Sequence, residues 1–186
     1  MIISSNQISP GMTISLNGQI YCVEFSMKVT VSKGVPFIKT KLKNLMSEEI
    51  IEKNFRLDQE IDEVTLKEKS LEFLYLEGKA YLFLDIEELD EVLVPAAIVG
   101  DKVNYLKEGV QVKATFYGDM TFSIELPQFL ELIVIKFEDL QSKVSISNTS
   151  KLAILETGAK VEVPLFIEVG DIVKIDTHIG EYIQRI

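Results

Sequence analysis

The sequence is short of most groups that carry chemistry. It has one cysteine, one histidine, no tryptophan and five prolines in 186 residues. A single cysteine, Cys22, excludes an internal disulfide and fits a reducing, cytoplasmic setting. It lies in an alternating strand pattern, where a small core residue is expected rather than a nucleophile. The lone His178 falls in a C-terminal turn with no nucleophile or orienting group nominated beside it, so a surface histidine is expected there. G-x-S-x-G, H-E-x-x-H, Walker and G-x-G-x-x-G patterns are missing, which argues against a hydrolase, a metalloprotease or a nucleotide-binding enzyme. Asp85 to Glu91 is acidic, but it lacks calcium-loop spacing and reads as a helix face. No catalytic residue, metal site or cofactor is therefore expected. No apolar run approaches the roughly 20 residues that span a bilayer, and residues 1–10 lack the pattern of a secretory signal. No membrane partner is expected.

Positive charge is scarce as well. Nineteen Lys and Arg stand against 29 Asp and Glu, for a net charge of -10. Taken whole, this argues against simple electrostatic binding of nucleic acid. The deficit is uneven. Residues 1–64 carry 7 basic and 8 acidic side chains, residues 65–127 carry 6 and 12, and residues 128–186 carry 6 and 9. Within the first block Lys28, Lys33, Lys39, Lys41 and Lys43 fall between Glu24 and Glu48 with no acid among them. Such a cluster is either a phosphate-facing patch on an acidic body or a solvated strand face, since lysine is common on strand edges.

What is abundant is strand signal. Asn17-Gly18, flanked by Ile14, Leu16, Ile20 and Cys22, is the strongest short hairpin signal. Residues 71–76 and 80–84 flank Glu77-Gly78-Lys79 as a second hairpin, and residues 110–116 and 121–126 flank Tyr117-Gly118-Asp119 as a third. Residues 130–137, 161–167 and 172–176 read as further strands, with a turn at 177–180 before Glu181-Tyr182-Ile183. The one helical candidate starts at Asp85 as N-cap, with Ile86, Leu89 and Leu93 on one face, and ends at Pro95. Many short strands with little helix mean an all-β protein of barrels or sandwiches. The charged stretch 57–69 and a break near Leu126-Pro127-Gln128 divide the chain into three blocks, 1–64, 65–127 and 128–186. The polar segment 139–150 reads as a loop.

The C-terminal block carries the most specific pattern: Leu155-Glu156-Thr157-Gly158-Ala159, Val163-Pro164-Leu165-Phe166-Ile167, Gly170-Asp171, Lys174-Ile175-Asp176-Thr177, Gly180-Glu181-Tyr182 and Arg185. With Leu16-Asn17-Gly18, Lys41-Leu42-Lys43-Asn44-Leu45, Gly100-Asp101, Tyr105-Leu106-Lys107-Glu108-Gly109 and Leu126-Pro127, the chain resembles bacterial elongation factor P over its whole length. The resemblance implies an SH3-like (KOW-type) barrel followed by two OB-fold barrels, arranged in an L that mimics tRNA. It implies a non-enzymatic monomer that binds the 70S ribosome beside the peptidyl-site tRNA, stimulates peptide-bond formation and relieves stalling at consecutive prolines.

By the same resemblance, Lys33 with Gly34 is the hairpin tip that reaches the CCA end of the tRNA. Gly34 is expected to supply a positive φ there. In several bacteria that lysine carries a post-translational extension, so a lysyl-tRNA-synthetase-like modifying enzyme is an expected partner. Lys28, Lys39, Lys41 and Lys43 form the RNA-facing patch, Gly100 and Asp101 a second-domain contact, and Tyr182 and Arg185 a C-terminal docking point. Tyr182 as a core residue of the last strand is the competing expectation.

Two departures accompany the match. The family tip reads Lys-Pro-Gly-Lys-Gly, against Thr30-Val31-Ser32-Lys33-Gly34 here, and a third-domain Gly-Asp-Thr is replaced by Lys143-Val144-Ser145. Such departures are those of a divergent paralogue. A reading from another class is an OB-barrel module that binds a protein or single-stranded nucleic acid away from the ribosome. It needs exposed aromatics over a basic groove, and the second and third blocks are acidic.

Overall fold

The computed structural model describes residues 1–138 and 149–186. Of the expected loop 139–150, residues 139–148, with Lys143-Val144-Ser145, lie outside the described residues. The regular structure of the rest is almost entirely strand, in three antiparallel sheets. Two compact units form, residues 1–67 with 117–120, and residues 68–116 with 121–186.

The first sheet contains β1 (Ile2–Ser4), β2 (Thr13–Leu16), β3 (Gln19–Val29), β4 (Phe37–Asn44), β5 (Ile50–Arg56) and β6 (Glu60–Glu63), in the order β1-β6-β2-β3-β4-β5. Asn17 and Gly18 both take positive φ, 52° and 77°. That is the two-residue turn whose twist suits a hairpin, as the sequence leads one to expect. The sheet must curl. β5 and β6 stand four strand spacings apart, about 19 Å if the sheet were flat. Only Leu57, Asp58 and Gln59 join them, a reach of about 14 Å. Ser5 fastens the seam: its amide donates to the Gln59 carbonyl at 2.8 Å and its hydroxyl to the Arg56 carbonyl at 2.7 Å. Ile14, Leu42 and Phe55 are fully buried inside, each stabilising the barrel by roughly 1.5–3 kcal/mol. β6 lies in the charged stretch 57–69, where Ile61 joins that core and Val64 is also buried. The stretch is thus part of the barrel rather than only a linker.

The second sheet contains β7 (Lys67–Glu77), β8 (Ala80–Asp85), β9 (Glu91–Pro95), β10 (Gln111–Tyr117) and β11 (Met120–Glu125), ordered β11-β10-β7-β8-β9. A short helix, α1 (Ala96–Val99), and a 3-10 helix over Gly100–Tyr105 deliver Val99 and Leu106 to a core of Leu71, Phe73, Phe83 and Val94. The rings of Phe73 and Phe83 meet edge to face at 5.3 Å.

The third sheet contains β12 (Phe129–Phe137), β13 (Ser150–Leu155), β14 (Lys160–Pro164), β15 (Ile172–Asp176) and β16 (Glu181–Arg185), ordered β14-β13-β12-β15-β16, with β14 approaching β16. Leu132, Val134, Leu155, Ile167, Val173 and Ile175 are its core. Tyr105 and Leu130 pack on the cores of both the second and third sheets. Lys107 Nζ donates to Glu156 at 2.9 Å and to the Glu131 carbonyl at 3.2 Å.

The same corner recurs in each sheet. Asn44, Asp85 and Asp176 each end a strand, and each side-chain oxygen accepts from the amides two and three residues on. The fourth residue on, Glu48, Leu89 or Gly180, returns its amide to the carbonyl of the first and takes φ near 60–70°. Asp85 is therefore no helix N-cap, contrary to expectation. An N-cap and this corner use the same two hydrogen bonds, so the first three residues look alike. Leu89 at φ 59° ends any helix, and residues 91–95 run on as β9, burying Val94 and leaving Leu93 exposed. The alternation of Val92 and Val94 outweighs the looser spacing of Ile86, Leu89 and Leu93.

Candidate nucleic-acid interface

β3 and β4 are long arms joined by residues 30–36, and Lys33 stands exposed at the tip. Gly34 has no positive φ, so the expected reason for a glycine is wrong. The real reason is space. A Cβ at position 34 would lie 2.6 Å from Val31 Cγ2, a distance no real contact tolerates. Val31 folds over Gly34, which supplies a local packing where the family tip has Pro-Gly.

Along the arm, β4 alternates strictly. Ile38, Thr40, Leu42 and Asn44 are buried, so Lys39, Lys41 and Lys43 share the outer face. Lys39 pairs loosely with Glu52 at 3.9 Å, and register places Arg56 on the same side, opposite Phe37. Lys28 does not join them. It pairs with Ile38 on the opposite face and lines a separate hollow with Ser5, Asn6, Ile8 and Ser26. The sequence cluster is thus two groups, because a bulge between Val23 and Phe25 reverses which β3 residues face outward. Cys22 also departs from expectation. It lies opposite Lys43 and is only half-buried, not part of the core.

Gly100 and Asp101 are exposed at the junction of α1 and the 3-10 helix. Gly100 takes φ 53°, ψ -138°, a region open in practice to glycine. Tyr182 is half-buried against the third core, which favours the core expectation for it. Arg185 is 50% exposed and already engaged. Its guanidinium lies 3.6 Å from Asp171 Oδ2 and 5.5 Å from the centroid of the Phe166 ring.

Sequence reasoning missed the buried charges. Asp85 is 1% exposed and bonds Lys69 at 2.9 Å, and Lys69 also bonds Glu88 at 2.7 Å. The Lys69 hydrogen bond, then the amides of Glu88 and Glu87, hold the Asp85 carboxyl below the usual range against the opposing effect of burial. Hydrogen bonds to Glu88 and Asp85 raise the Lys69 ammonium. At Asp176 burial pushes upward, but Gln128 and the amides of His178 and Ile179 outweigh it, so the carboxyl is lowered. At Glu156 burial likewise opposes, and Lys107 with the Ile133 amide wins. These carboxylates are tied into corners and joints, and His178 is exposed in its turn. Among the described residues no three His, Cys, Asp or Glu side chains converge in a way that could hold a metal, and no helix is long and apolar enough to cross a membrane.

Comparison with known proteins covers the whole chain. Residues 4–61 match the elongation factor P (EF-P) KOW-like domain, residues 66–124 the elongation factor P (EF-P) OB domain, and residues 130–185 the elongation factor P C-terminal domain. The chain is 60% identical over 183 residues to elongation factor P 1 of Protochlamydia amoebophila, covering 98% of this chain and 99% of the relative. It is 44% identical to elongation factor P 1 of Chlamydia caviae, covering 100% of both. Among solved structures, the eukaryotic translation initiation factor 5A from Methanococcus jannaschii superposes with a TM-score of 0.54 at 9% identity, over 68% of this chain and 92% of that one. That likeness speaks to the fold alone. With an SH3-like (KOW-type) barrel, two OB-type sheets and 60% and 44% identity to named members over nearly its whole length, the chain belongs to the elongation factor P family of bacterial translation elongation factors.

Proposed function

We propose that the protein binds the 70S ribosome beside peptidyl-site tRNA and relieves stalling at consecutive prolines. The observation that carries this reading is one hairpin with two features. Lys33 is exposed at its tip, and Lys39, Lys41 and Lys43 form a column on one face of its β4 arm. An ammonium on a flexible stem suits a crevice lined with phosphate and ribose. The column holds the barrel to the tRNA backbone in a salt-dependent way. Lys33 orients the tRNA end, where small displacements cost large factors in rate, and transfers no proton.

On this reading the three blocks 1–64, 65–127 and 128–186 are the domains, and the factor works as a cytoplasmic monomer. Gly100 and Asp101 offer a second contact to ribosome or tRNA, and Lys28 a minor one from the other face of the hairpin. Arg185 assists docking by exchanging Asp171 for phosphate, with Tyr182 anchoring the same strand on the third core. A lysyl-tRNA-synthetase-like enzyme extends Lys33.

The test is in vitro translation of a message with consecutive prolines. Lys33→Ala is expected to fold and to bind ribosomes, yet to lose stimulation. If the variant rescues the stall as well as the parent does, the reading fails.

A further inference from the structure

The outer face of the first barrel carries more than cations. In an unbroken strand Val23 and Phe25 would share the buried face. The bulge at Glu24 turns Phe25 outward, opposite Lys41, and Met27 follows opposite Lys39. Phe25 is 39% exposed and Met27 49%, although Val23 and Leu42 already fill the core beneath. They border an open hollow of about 480 Å³, a size common for small-ligand sites. Lys39, Lys41, Glu24 and Glu52 complete its lining.

We infer that this hollow is a stacking seat for one unpaired RNA nucleotide. The base lies on Phe25 with Met27 beside it, and Lys39 and Lys41 hold the flanking phosphates. Single-strand sites combine a basic groove with an aromatic face, because every base has a π-face and every linkage a charge. Lys39 and Lys41 are two residues apart on one strand face, about 7 Å along it. Lys43 and Arg56 extend the cations on the same side, in a chain whose net charge is -10. A duplex keeps its bases stacked and offers only backbone here. The seat lies several residues down the hairpin from Lys33, roughly 20 Å by strand rise, so it grips a different nucleotide from the one at the tip. The inference deepens the proposed function and rests on its RNA-facing reading of this barrel.

Amide-shift titrations of the full chain at low salt test it, with a single-stranded oligocytidylate and an RNA duplex of equal length as probes. Shifts are expected at Phe25, Met27, Lys39 and Lys41, larger for the single strand. Phe25→Leu, which keeps the apolar surface, should weaken single-strand binding at least about fivefold and leave duplex binding unchanged. Lys41→Gln should weaken both. An unchanged single-strand affinity in Phe25→Leu, shifts elsewhere, or no binding of either probe overturns the seat. The Lys33→Ala translation assay reads the proposed function separately, so a silent Phe25→Leu with an inactive Lys33→Ala removes the seat alone.

Discussion

Asp85 and Asp176 occupy the same place in two different sheets. Each closes a strand, and each accepts from the amides two and three residues on through Oδ1. Each is almost wholly buried. Their second oxygens differ in partner, Lys69 for Asp85 and Gln128 for Asp176. One corner is thus charge-compensated and the other is held by neutral donors. Asn44 fills the same place in the first sheet without a charge at all.

That difference makes a stability prediction. Asp85, Glu156 and Asp176 all have lowered carboxyl pKa values in the folded chain. The unfolded chain then binds protons first as pH falls, from about pH 4. The stability these groups contribute is present above that point and lost as pH falls through the lowered folded values. Asp85→Asn keeps the corner and should flatten the acid limb of the stability curve. Asp85→Ala also strands two amides and leaves Lys69 with Glu88 alone, and should lower the melting temperature by roughly 5 °C or more. Thermal melts across acid pH check both. An acid limb unchanged in Asp85→Asn would show that this carboxyl does not report folding.

The tip offers a cleaner geometric test. Gly34→Ala brings a Cβ against Val31, so Val31 must turn away and the loop around Lys33 must shift. Because the loop is exposed, the cost in stability should be within about 0.5 kcal/mol. Stimulation of proline–proline bond formation should nevertheless fall. Val31→Ala added to Gly34→Ala should restore it. Lack of rescue by the double variant would mean that the glycine serves something other than space.

On the proposed function, Arg185 is where docking can be separated from folding. Its ion pair with Asp171 is at the surface, and such pairs contribute below about 1 kcal/mol. Arg185→Ala is therefore expected to melt within a few degrees of the parent while pelleting less with ribosomes. A lowered melting temperature with unchanged pelleting would make Arg185 a strut for Asp171 and Phe166 only.

Lys107 joins the second and third sheets through Glu156 and the Glu131 carbonyl. Lys107→Met keeps the stem and removes the charge. It should leave each sheet folded and raise hydrogen exchange at Ile133, whose amide donates to Glu156 at 3.1 Å. Exchange at Leu132 and Val173, deep in the third core, should stay slow. Equal acceleration at both places would mean that the joint is inseparable from the core.

Local pattern alone determined a good deal here. Positive φ at Asn17 and Gly18, the alternation that places Lys39, Lys41 and Lys43 together, and the strand-rich, helix-poor composition all follow from short-range sterics and period-two burial. Those act within a few residues and are therefore written in neighbouring letters. Tertiary structure decided the rest. A single bulge parted Lys28 from the other lysines and turned Phe25 outward, since one extra residue reverses every face beyond it. Asp85 became a corner rather than a cap because β9 found a neighbour in β8. β6 emerged from a charged stretch because the closing barrel needed a strand between β1 and β2. Lys69, Lys107 and Arg185 met their carboxylates across separations of 14 to 49 residues. Such pairings depend on which strands the whole chain brings side by side, and nothing in the adjacent residues specifies them.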